Sequence, residues 1–110
     1  MGEGEDLLRL AAEALMRSIE FALGQLNARK VNGEMKLRWS RSLVRQVEAL
    51  INVVEAMGRV GVKSELELDL ASYLSYVEGK VPRRFVTEEF SGLVRRVRLR
   101  ASRRRPSNAR

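Results

Sequence analysis

Apolar residues return every three or four positions through most of this chain. Leu8, Ala11, Leu15, Ile19, Ala22 and Leu26 open the series and define one stripe of an amphipathic helix. Glu3, Glu5 and Asp6 stand before it, where negative charge suits a helix N-terminus. The stretch Asn27 to Gly33 is turn-like and closes with Asn32-Gly33, so the first helix is predicted to end near Arg29. A second stripe, Leu43, Val47, Leu50, Val54 and Met57, is widened by Trp39, Val44 and Ile51. It predicts a long helix from about Glu34 to Met57, the spine of the fold, with Gly58 and Gly61 bracketing its end.

Ser64-Glu65-Leu66-Glu67 reads as a capping box ahead of a third helix, whose face is Leu66, Leu70, Tyr73, Leu74 and Val77. Gly79 is its expected stop, and Pro82 forbids continuation. Thr87 is the expected N-cap of a fourth helix, with Glu88 and Glu89 in its first turn and Phe90, Leu93, Val94 and Val97 on one face. Past Val97 the apolar residues alternate (Val97, Leu99, Ala101), so this helix is predicted to end near Leu99. Ser102 to Arg110 has charge, Pro106 and no apolar anchor, and is expected to be disordered.

The fold expected is therefore all-α: a small antiparallel bundle of about four helices over residues 1–100, with a disordered, Arg-rich tail over 101–110. The apolar stripes of the two long helices are wide enough for a homodimer to share them. A chain of 110 residues buries enough surface for such a domain without metals or disulfides.

Charge changes this picture more than composition does. Residues 1–79 carry ten basic and twelve acidic side chains, whereas residues 80–110 carry eleven basic ones against only Glu88 and Glu89. The near-neutral body thus bears a strongly cationic C-terminal quarter. Arg95, Arg96, Arg98 and Arg100 flank the apolar stripe of the fourth helix, Arg103, Arg104 and Arg105 continue into the tail, and Arg83 and Arg84 precede the helix. If the stripe docks on the bundle, these side chains form a basic ridge and a flexible arm. Guanidinium forks match phosphate oxygens, and six such contacts give a salt slope of about −5 on duplex DNA. A helix dipole accounts for two or three cations in a last turn but not for this excess.

A second cluster, Lys36, Arg38, Arg41 and Arg45, opens the second helix against its dipole. Internal pairing with Glu34, or with Glu65, Glu67 and Asp69 of the third helix, accounts for it. If the acidic start of the third helix lies elsewhere, the cluster becomes a second anion-binding patch. Trp39 beside it is either the edge of the core or a ring on which a base stacks. Tyr73 reads as core, Tyr76 as surface or interface, and Phe85 as the anchor of its loop.

Catalysis is not indicated. The chain has no histidine and no cysteine, which removes the commonest general base and the thiol and Cys-zinc chemistries. Glu65, Glu67 and Asp69 do not share one helix face, since residues two apart diverge by about 200°. No metal, cofactor or small-molecule substrate is expected. No basic segment precedes an apolar run at the N-terminus, and no run approaches the ~18 residues of a membrane span. A soluble, cytoplasmic protein is expected.

These readings converge on a helical accessory protein, a subunit of a nucleoprotein assembly, that contacts the RNA or DNA backbone largely without sequence preference. The arrangement fits neither a helix-turn-helix, whose turn is shorter, nor a basic zipper, whose basic region comes first. The rival expectation is a helical adaptor or oligomerisation protein whose arm docks an acidic protein partner. A weaker one is adsorption to anionic lipid.

Overall fold

The computed structural model describes residues 2–61 and 65–104, those at 2, 3, 5, 65–68 and 103–104 by their backbone only. Four α-helices follow one another, α1 (Gly2–Asn27), α2 (Gly33–Arg59), α3 (Glu65–Lys80) and α4 (Glu88–Arg104), with one 3₁₀ turn at Arg83–Phe85. The described residues contain no strand, and none of their helices is long and apolar enough to cross a membrane.

Local chemistry explains most of the helix ends. α1 starts earlier than its apolar stripe, so that Glu3, Glu5 and Asp6 lie inside the first turns, where the dipole still favours them. It stops at Asn27 rather than Arg29. The Asn27 amide turns back and donates to the carbonyl of Leu23 at 2.8 Å and to that of Lys80 at 2.9 Å. Asn32 caps α2 by accepting from the Met35 amide at 2.9 Å. At the far end Val60 N–H reaches the Ala56 carbonyl and Gly61 N–H that of Gly58, and Gly61 turns the chain with φ +77°. Thr87 caps α4 as expected, its Oγ1 accepting from the Phe90 amide at 3.1 Å.

The ends of α3 and α4 also differ from the sequence reading. Gly79 does not stop α3; the helix runs through it to Lys80, and Gly61 is the glycine with positive φ among the described residues. Val81 N–H still bonds back to Val77 and Glu78, and Pro82, which has no N–H to give, ends the run. α4 continues past Leu99 to Arg104, so the first four residues of the expected tail are helical. The alternation of Val97, Leu99 and Ala101 is not a strand signal. Val97 and Ala101 are one helical turn apart, buried and half-buried, while Leu99 points away, 54% exposed. Ser64, the cap of the expected capping box, and residues 105–110 lie outside the described residues.

α2 is the spine. Its Leu43, Val47, Leu50, Ile51 and Val54 are buried, as are Ile19 and Leu26 of α1, Leu74 and Val77 of α3, and Phe90, Val94 and Val97 of α4. Consecutive helices run antiparallel. Asn27 meets Lys80, so the ends of α1 and α3 lie together at the start of α2. Ser91 donates to Glu78 and Arg98 to Ser75, which sets α4 back along α3 and hence parallel to α2. The result is a slab with extents of 44 × 39 × 17 Å.

One carboxylate ties α1 to α3. Glu20 accepts from the hydroxyls of Tyr73 at 3.2 Å and Tyr76 at 3.3 Å, across more than fifty residues of sequence. Tyr73 is half-buried against the core and Tyr76 is exposed, in line with the sequence reading. Burial first, and the Glu20 charge second, raise the Tyr73 pKa well above its ordinary value. The folded state therefore holds this proton to higher pH than the unfolded chain does. The associated stability is intact below about pH 10 and is lost as pH rises through the folded value. Thermal melts across the alkaline range are expected to fall above about pH 10, and to fall less in Tyr73→Phe. An identical alkaline loss in that variant would rule this account out.

Candidate nucleic-acid interface

The chain reversal that ends α3 decides where several cations sit. Phe85, the buried residue of the 3₁₀ turn, anchors it as expected, and its carbonyl accepts from the buried Ser40 hydroxyl at 3.1 Å. Ser40 lies in the second turn of α2, next to Arg41. Arg83 and Arg84 are thereby carried to the same end of the molecule as Lys36, Arg38 and Arg41. Both are exposed, and the Arg84 guanidinium lies 5.0 Å from the centroid of the Phe85 ring.

The Asn27–Lys80 hydrogen bond adds Arg29, Lys30 and Lys80 to that end. Sequence reasoning missed these three because they stand at helix ends, outside the cationic stretches at 36–45 and 83–105. The only sequence signal was that all of them border the two turns that the fold joins. Arg29, Lys30, Lys36, Arg38, Arg41, Lys80, Arg83 and Arg84 have Glu34, Glu78, Glu88 and Glu89 as their nearby acids in sequence. None of these cations is ion-paired among the described residues.

The internal pairing considered for the α2 cluster does not occur among the described residues. Glu34 makes no ion pair with Arg38. α3 runs back antiparallel from the far end of α2, so its acidic start, with Asp69, lies at the opposite end from Arg38 and Arg41. That acidic start therefore does not neutralise the α2 cluster. Arg38, Arg41 and Arg45 are exposed along one side of α2.

Trp39 does not belong to that row. At 100° per residue it lies on the other side of the helix. It is half-buried against the core with its ring edge-to-face on Phe21, centroids 5.4 Å apart. The ring is thus part of the α1–α2 contact rather than a platform beside the arginines.

The α4 arginines do not form the single ridge expected. Arg96 and Arg98, and again Arg98 and Arg100, diverge by about 200° around the helix. Arg98 turns to α3, donating to Ser75 Oγ from Nε at 3.2 Å and from Nη2 at 2.8 Å, with the Glu78 carboxylate 3.6 Å away. Arg100 turns to α2 and pairs with the Glu55 carboxylate. These two guanidinium groups are folded back on the scaffold's own carboxylates, and phosphate would have to compete with those pairs. Arg95 and Arg96 are exposed and unpaired among the described residues. The side chains of Arg103 and Arg104, and the whole of Arg105, lie outside the described residues.

No family model, curated protein or solved structure matches the chain. The site's own chemistry is therefore the guide to function. It offers guanidinium and ammonium groups on a rigid end, donors suited to oxyanions. Among the described residues no three acidic side chains come together to hold a metal ion.

Proposed function

We propose that this protein is a small helical nucleic-acid-binding accessory protein that holds the phosphate backbone largely without regard to sequence. One observation carries the reading: eight cations from three separate segments converge on one end of the bundle and find no carboxylate partner among the described residues. Crowding like charge costs self-repulsion, which a polyanion relieves. The rigid end is the primary surface, with Arg45, Arg95 and Arg96 extending it along the slab. Arg98 and Arg100 contribute less, because their carboxylate pairs must first be given up.

The test is binding of labelled single- and double-stranded DNA and RNA across a salt series. Six backbone contacts give a slope near −5 in log affinity against log salt on duplex DNA. Truncation after Leu99 keeps the basic end and is expected to flatten the slope only in part. Absence of binding to every nucleic acid at low salt would overturn the proposal and favour an adaptor for an acidic protein.

A further inference from the structure

α1 has two apolar arcs, and the fold covers one of them. At 100° per residue, Ala12, Ile19, Ala22 and Leu26 point into the core. Leu7, Leu10, Ala14 and Phe21 lie about 130° further round, within an arc of about 60°. Leu7 is 67% exposed, Leu10 57% and Phe21 60%. α2 continues this face with Trp39 and with Met35, itself exposed. Between the two helices a groove of about 520 Å³ is lined by Ala14, Arg17, Ser18, Phe21, Trp39 and Gln46. The Gln46 Oε1 atom is buried and has no hydrogen-bond partner within the described chain.

We propose that this face seats a second copy of the chain, with the two α1 helices crossing antiparallel near Ala14. The arc complements itself about that point. The two-fold rotation sets Leu7 against the second copy's Phe21, while Ala14 and Ser18, both small, allow close approach at the crossing. Glu13 and Arg17 stand one turn apart on the outer edge of the arc. In antiparallel pairing, edge meets like edge, so each Arg17 comes beside the second copy's Glu13, twice by symmetry.

Attraction across this face rests on the two Glu13–Arg17 pairs, since each α1 is itself net acidic. The chain as a whole carries +7, but α1 holds five carboxylates against Arg9 and Arg17. Two copies that meet here keep their basic ends away from the contact. The face is about 20 Å long and two helix diameters, about 20 Å, wide. That projected area, about 400 Å², is about half of the roughly 800 Å² per partner of a standard interface, so the dimer is expected to depend on concentration. The proposal stands whether or not the chain binds nucleic acid.

Light scattering and sedimentation of nuclease-treated full chain, across a concentration series, are expected to give twice the 12.5 kDa chain mass. Ala14→Arg and Phe21→Glu, both at exposed positions, are expected to halve it while keeping the helical circular dichroism of the parent. The chain has no cysteine, so Ala14→Cys introduces a single thiol next to the two-fold axis. It is expected to cross-link as a disulfide dimer under mild oxidation, and Glu89→Cys is not. Three results overturn the proposal: a monomer throughout, a dimer that persists in both substituted proteins, or cross-linking of Glu89→Cys as fast as that of Ala14→Cys.

Discussion

Replacing Arg38, Arg41, Arg83 and Arg84 together with glutamine is expected to weaken nucleic-acid binding by roughly a thousandfold at about 0.1 M salt. Each phosphate contact on duplex DNA contributes about 0.9 to the salt slope, so losing four should flatten it by three to four. All four side chains are exposed and none is ion-paired among the described residues. Their removal should leave stability within about 0.5 kcal/mol of the parent. The comparison variant is Arg98→Gln with Arg100→Gln, which has half as many substitutions. Those guanidinium groups already engage Glu78 and Glu55, and the expected loss is under about tenfold. A fourfold variant with unchanged affinity and slope would move the binding surface to the C-terminal arm. Equal losses per residue in the two variants would show that the internal pairs do not restrain Arg98 and Arg100.

The second large effect concerns stability. Phe90 is 2% exposed, and it fixes the first turn of α4 onto the core immediately after the Thr87 cap. Phe90→Ala removes most of a buried ring and leaves a cavity, at a cost of about 3–5 kcal/mol. A domain of this size has on the order of 5–15 kcal/mol in all, so this is a large share of it. The melting temperature is expected to drop by roughly 15–25 °C. In urea the midpoint should fall with little change in slope, since the surface exposed on unfolding is nearly the same. A loss below about 1 kcal/mol would mean that α4 is not packed as described.

The comparison of Phe90 with Phe21 shows where sequence reading stops. Both are phenylalanines in amphipathic helices, yet one is buried and the other is 60% exposed. Helical spacing identified the α1 stripe that enters the core. It did not show that Leu7, Leu10 and Phe21 form a second arc, because spacing locates apolar arcs without saying which of them a neighbour covers. Trp39 was ambiguous for the same reason until its contact with Phe21 was seen.

What the sequence determined by itself was set by interactions within a few residues. The order of four helices, the Thr87 cap, the break between α1 and α2, the left-handed Gly61 and the block at Pro82 all follow from local backbone and hydrogen-bond chemistry. The charge asymmetry was equally legible, since it needs only counting. The tertiary structure alone decided which cations are available. Arg98 reaches back 20 residues to Glu78 and Arg100 reaches back 45 to Glu55, while Ser40 draws in the turn that carries Arg83 and Arg84. Electrostatic interaction depends on distance through space, and chain reversal makes remote residues neighbours. The sequence therefore specified how much positive charge the molecule has, and the packing of α3 and α4 on α2 specified where it collects.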